Sequence, residues 1–323
     1  MPDNVTVIIR TVGERTEALC KKLVLEQGIA GENVVFVREA PFSKALEKSF
    51  QVGLERGLPW TMCVDADLLL RPYSIKKLVE FGNKQKPEVC EFQGLVLDKF
   101  FGGPRPAGNH LYRTVHLKKA LEMIPEEGIN IRPEFHTLKR MKLSGFPWYN
   151  TSLLMGIHDF EQHYRDIYRK TFVYAHKYYQ NVDLFLVYWR EMLKNDPDFM
   201  VALKGLANGI CHYDKVHIDI NQSYYAEFQS QVQIKEKGLL DINRYSTSDI
   251  QDIINSWKVP EKYLEKFPEK YGYDERKVKK IGRRHIIKNK LRKTGYTGFI
   301  PWMLGWTLKR AGILICDRFE RGA

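Results

Sequence analysis

The stretch "WTMCVDADLLLRP", residues 60–72, sets Asp65 and Asp67 one small residue apart inside a run that is otherwise apolar. In a half-buried strand, polar residues alternate toward water, and two aspartates at i and i+2 would then mark a wet face. Met62-Cys63-Val64 before the pair and Leu68-Leu69-Leu70 after it read instead as a strand covered on both faces. Two carboxylates at the end of such a strand need a cation or strong donors to offset repulsion and desolvation.

Outward from this stretch the chain alternates. "VTVIIRT" (5–11) and "NVVFVREAP" (33–41) are β-branched and read as strands, and residues 61–70 as a third. Helical spacing follows each of them: Leu19, Leu23 and Val24 up to Gly28, then residues 43–57 with Ser43 as N-cap and Gly57 as stop, then 73–82. This pattern predicts an α/β fold with a mixed, mostly parallel sheet flanked by helices, whose ligands collect beyond the carboxyl ends of the strands. After residue 88 the order loosens. Residues 88–98 read as a strand, "KFFGGPRPAGNH" (99–110) as a loop, 115–125 as a short helix, and 152–179 as a strand running into a long helix. From 180 to 270 helical stretches dominate.

The 323 residues are 44% hydrophobic, enough for a sizeable core. No charged-then-apolar leader opens "MPDNVTVIIRT", so a cytoplasmic chain is expected. The five cysteines form no C-x-x-C pair, which supports neither a disulfide framework nor a zinc ribbon. Net charge is +12, and residues 271–323 carry 14 Lys or Arg against 4 Asp or Glu, a surplus of +10. The body is nearly neutral and the tail basic, so an anionic partner is expected to meet the tail.

The first hundred residues resemble the nucleotide-sugar-binding half of a GT-A fold glycosyltransferase, close to the large family-2 group that includes bacterial surface-glycan enzymes. The resemblance rests on "VTVIIRTVGERTEAL" as the opening strand and donor loop, and on "VDADLLLRP" as the D-x-D strand. It implies Mn²⁺ or Mg²⁺ held by Asp67 directly, with Asp65 facing ribose or a metal-bound water; hard oxygen ligands suit such ions. It also implies Thr11 and Glu14 at the nucleoside, with Arg10 standing where proline is commoner and able to grip phosphate. Lys48 and Lys44 come nearest to the family's diphosphate-binding arginine, and Arg113 falls in a loop near the donor sugar. In "MGIHDFEQHYRDIYRK" (155–170), His158 and Asp159 take the place of the family's acidic pair. Asp159 is then the expected base of an inverting displacement, Glu161 its alternative, and His158 a further metal ligand. On residue types alone, Asp159 could equally cap the following helix. Trp148 and Tyr149 offer a sugar-stacking platform.

The expected organisation is a catalytic domain over 1–220, with donor half 1–100 and acceptor half 101–220, then a helical extension over 221–273 and a basic amphipathic tail over 274–323. Ten Lys or Arg and no acid stand between Arg276 and Lys293, followed by a segment holding Trp302 and Trp306. That combination describes attachment to an anionic membrane surface, here the inner face, rather than binding to nucleic acid. The expected partners are a nucleotide-diphosphate sugar, UDP-linked, and a lipid-linked or surface glycan acceptor. A nucleotidyltransferase is the enzymatic alternative, although "TVGERTEA" is no glycine-rich phosphate loop; a non-catalytic sugar-binding protein is the other.

Overall fold

The structure is a computed structural model that describes residues 4–129, 131–214, 216, 228, 232 and 234–258. All of them belong to the first of two compact units, Met1–Gly272; the second, Tyr273–Ala323, and with it the basic tail, lies outside the described residues. Tyr224, Tyr225 and about half of the expected 221–273 extension lie outside as well.

Strands β1 (Val5–Arg10), β2 (Val34–Val37) and β3 (Trp60–Asp65) pair in parallel in the order β2-β1-β3. The sheet continues through β7 (Asn109–Arg113), β5 (Glu91–Asp98), β8 (Trp148–His158) and β4 (Leu68–Leu70), with β6 (Gly103–Pro106) on β5. Strands β1, β2, β3, β5 and β8 share one direction, while β4, β6 and β7 run against it. The expected mixed, mostly parallel sheet is the one observed.

Both faces are covered, which accounts for the unbroken apolar runs. Val5, Val7 and Ile9 pack with Cys20 and Val24 of α1 (Glu17–Leu25) and with Ile75 and Leu78 of α3 (Ser74–Asn83). Ile8, on the opposite pleat, packs with Leu46 and Phe50 of α2 (Phe42–Arg56), Leu117 of α4 (Leu117–Leu121) and Leu138 of α5 (Pro133–Leu143). A separate cluster joins α6 (Tyr164–Lys177), α7 (Val182–Met192) and α8 (Asp198–Ile210) around Phe100. Ile250 of α9 (Thr247–Ser256) closes over Leu69 and Ile157.

The architecture departs from the linear reading in four places. The third strand breaks at Ala66: β3 ends at Asp65, and β4 crosses to the far side of the sheet to pair antiparallel with β8, Leu68 opposite His158. The stretch read as a loop holds β6, which its glycine and prolines conceal, and the start of β7, and both strands pair antiparallel with β5. Helix α5 was not anticipated. Helix α2 begins at Phe42 behind Pro41 rather than behind a Ser43 cap, although Gly57 does end it in the left-handed conformation, φ 66°.

Candidate functional site

The break at Ala66 is what builds the site. It leaves Asp65 at the carboxyl end of β3 and Asp67 entering β4, and β4 pairs with the strand that ends in His158. Main-chain hydrogen bonds fix each arm: Asp65 N–H to Gly108 O (2.9 Å), Ala66 N–H to Arg10 O (3.0 Å) and Asp159 N–H to Asp67 O (3.1 Å). Gly108 has φ +62°, and a Cβ there would stand 2.9 Å from His158 Cδ2, so both conformation and space call for glycine.

Ligand atoms of Asp65, Asp67 and His158 lie within 4.8 Å of one another. They border a cavity of about 640 Å³ that is also lined by Arg10, Thr11, Glu14, Arg105, Glu134, Trp148 and Lys170, a size suited to a nucleotide-sized ligand. Among these groups, Asp67 Oδ1 is buried and makes no hydrogen bond, although His158 Nε2 stands 3.3 Å away. A buried carboxylate oxygen left in this way is the expected state of a cation ligand, and two carboxylates with an imidazole form a donor set that suits Mn²⁺. The residues present fit a divalent ion.

The second arm holds His158 in place. Its Nδ1 lies 3.0 Å from Asp98 Oδ2 and 3.1 Å from Asp159 Oδ2. Asp98 is fully buried and also accepts from Arg105 Nε at 2.7 Å and from the N–H groups of Phe100 and Phe101. Burial works against a charged His158 ring, but Asp159 and Asp67 outweigh it and raise its pKa well above the usual value. Lys170, from α6, donates to both Asp67 and Asp159. Burial also opposes ionisation of Asp67, yet Lys170 and His158 hold it well below the carboxylate range.

Arg10 supports Asp65 from beneath. Its Nε and Nη2 both lie 2.8 Å from Asp65 Oδ1, and its Nη1 donates to Glu134 Oε1 at 2.8 Å. Glu134 also accepts from the Tyr112 hydroxyl (2.7 Å), and its Oε2 lies 3.0 Å from His110 Nε2. His110 Nδ1 lies 2.9 Å from Glu91 Oε1. Burial disfavours the charged His110 ring, but Glu134 and Glu91 raise its pKa to about 10. Thr11 donates to Glu14 Oε2 at 2.7 Å, and Glu14 accepts from Val12 N–H at 2.8 Å, which shapes the loop after β1.

The structure therefore brings together Arg10, Thr11, Glu14, Asp65, Asp67, Trp148 and His158 at the cavity and leaves the other expected residues out of its wall. Arg113 is corrected: β7 runs antiparallel, so it pairs with Trp60 at the opposite edge of the sheet, about 17 Å from Asp65 at ~3.4 Å per residue. There its Nη2 donates to the carbonyls of Gly82 and Gln85. Lys44 and Lys48 are also corrected, because both stand on the exposed face of α2 outside the cavity, Lys44 beside Glu47. Asp159 is fully enclosed, its oxygens taken by His158, Lys170 and the Tyr174 hydroxyl, and it is not part of the cavity wall. Glu161 faces Arg15 and Tyr245, likewise away from the cavity. Both have φ near +60°, so the turn out of β8 is held in a conformation that non-glycine residues seldom adopt. Trp148 lines the cavity, but Tyr149 packs on Phe81. Lys170, Asp98, Glu134 and Arg105 were missed. Asp98 is far in sequence from His158, Lys170 from Asp67 and Glu134 from Arg10, whereas Arg105 lies only seven residues from Asp98, across the turn between β5 and β6.

No family model and no curated protein sequence matches the chain. Among solved structures it is similar to a glycosyltransferase involved in glycosylation of the major capsid of PBCV-1, at 15% identity over 46% of this chain and 81% of that one, TM-score 0.34. It is also similar to a mannosyltransferase from Pyrobaculum calidifontis in complex with GDP-Man and Mn²⁺, at 10% identity over 64% and 74%, TM-score 0.35. A cytidylyltransferase from Leptospira borgpetersenii is similar at 10% identity over 46% and 76%, TM-score 0.32.

Proposed function

We propose that the chain is a metal-dependent glycosyltransferase that moves a sugar from a UDP-linked donor to a hydroxyl of a lipid-linked or surface glycan. The observation that carries this reading is the convergence of Asp65, Asp67 and His158 at the carboxyl edge of the sheet, with a buried Asp67 oxygen lacking a hydrogen bond. Asp67, Asp65 and, once its ring gives up the proton that Asp67 and Asp159 favour, His158 would hold Mn²⁺ or Mg²⁺. When bound, such an ion offsets the charge of the departing diphosphate. Thr11 and Glu14 would meet the nucleoside, Arg10 would hold Asp65 in orientation, and the Asp98 carboxylate would keep the His158 ring aimed at the ion. Trp148 supplies an apolar face on the same cavity for a sugar ring.

Inversion with Asp159 as base requires that carboxylate to reach the acceptor hydroxyl, and its enclosure by Lys170 and Tyr174 must open for this to occur. The anomeric configuration of the product, read by NMR, tests that course: an inverted product supports it and a retained one rejects it. The basic tail would hold the enzyme on the cytoplasmic face of an anionic membrane; among the described residues no helix is long and apolar enough to cross one. Truncation after Tyr273 is then expected to abolish sedimentation with anionic vesicles, and equal binding by both chains would reject this role.

Thermal denaturation with UDP, GDP and CTP, each with Mn²⁺ or EDTA, tests the donor class. UDP with Mn²⁺ is expected to raise Tm, because a ligand bound only by the folded state stabilises it. A shift with CTP alone, together with pyrophosphate release, would indicate nucleotidyl transfer. Absence of any shift would reject nucleotide binding altogether.

A further inference from the structure

Lys170 occupies the place where an added cation would act. Its ammonium donates to Asp67 and to Asp159, two side chains that are 7% and 0% exposed. Arg105 offsets Asp98 separately, through contacts of 2.6–2.7 Å, so Lys170 is the ammonium that bridges the other two buried carboxylates. It takes one oxygen of Asp67 and leaves the other with only the His158 ring near it, Nε2 at 3.3 Å. A dication on that free oxygen would face the ammonium across the width of a single carboxylate, in a buried setting where water screens little. One cation must yield. Lys170 also lines the cavity, on the same wall of α6 as Arg169 and Lys177, so its flexible four-carbon stem has open space to enter.

Resting on the proposed function, we infer that Lys170 is a resident cation that keeps Asp67 from a bare divalent ion and is displaced into the cavity when the ion arrives with a nucleoside diphosphate, whose phosphate oxygens it then binds. The exchange replaces an ammonium–carboxylate pair by an ammonium–phosphate pair. The ion and the diphosphate therefore bind cooperatively, and each raises the affinity for the other. In the absence of diphosphate the ammonium would keep only Asp159 on leaving Asp67, with no phosphate to replace the lost pair, and the site holds a free ion weakly. Lys170 is thus a substrate-positioning residue and the reason the site does not fill with stray metal.

The test is direct Mn²⁺ binding, followed through the electron paramagnetic resonance of the free ion, in the intact chain and in Lys170→Met and Lys170→Arg, each with and without UDP. Without UDP, Lys170→Met is expected to bind Mn²⁺ at least about tenfold more tightly than the parent, and Lys170→Arg to resemble the parent. Addition of UDP is expected to tighten Mn²⁺ binding in the parent by a larger factor than in Lys170→Met. Should Lys170→Met fail to fold by circular dichroism, Lys170→Gln gives the same comparison. Equal or weaker Mn²⁺ binding by the folded neutral variant, or an equal UDP effect in both, overturns the inference while leaving the metal site standing. No Mn²⁺ uptake by any variant with UDP present defeats the metal site itself, and this inference with it.

Discussion

His110 shows how a single side chain ties the floor of the site to its stability. It lies between Glu91 and Glu134, and Glu134 in turn holds Arg10 beneath Asp65. Its folded pKa of about 10 lies above the ordinary histidine value of 6.5, so folding takes up its proton. The stability this provides is fully present below about pH 6.5 and is lost as pH rises through about 10. Urea unfolding between pH 6 and 10 should show a decline that His110→Gln removes; an unchanged slope in that variant would mean the ring is neutral. At this scale the sequence was informative about residues close to a motif. Asp65, Asp67, Arg10, Thr11 and Glu14 sit on or beside strand ends that periodicity locates. It was uninformative about partners 60–124 residues away, which is why Asp98, Lys170 and Glu134 escaped notice. It also assigned Asp159 and Glu161 by order along the chain, and order cannot say which way a tight turn points its side chains.

At the scale of elements, the crossing of β4 over β8 decides whether Asp67 and His158 meet. Gly156 permits that crossing: a Cβ there would lie 2.0 Å from Leu69 O and 2.8 Å from Leu69 C, both backbone atoms that cannot step aside. Gly156→Ala should therefore cost roughly 3 kcal/mol in urea unfolding. It should also weaken Mn²⁺ binding in the presence of UDP, because β4 and β8 carry two of the three ligands. Wild-type stability in this variant would show that the two strands do not approach as described. The first three strands and three helices were legible because their apolar residues recur at regular spacing. Strand β4 was not, since three leucines after an aspartate read equally well as a continuation of β3. Strand β6 was hidden by a glycine and prolines that serve on a sheet edge as readily as in a loop, and β7 by its short polar sequence directly behind them.

Over the whole molecule, charge and shape divide the labour. The described body holds the cavity, with paired carboxylates on the strand edges and the cationic wall of α6 facing them. The surplus of basic charge lies in the sequence beyond it, where composition alone speaks. The central claim is that Asp67 and its neighbours bind a divalent ion for work on a nucleotide-linked sugar. It is tested most directly by UDP release from a panel of UDP-sugars, with Mn²⁺ or EDTA, by the parent chain and by Asp67→Ala of verified fold. The account predicts Mn²⁺-dependent release that EDTA stops and that Asp67→Ala reduces by at least about 10²-fold. Release undiminished in EDTA or in the variant, or none from any donor with Mn²⁺ supplied, would contradict it.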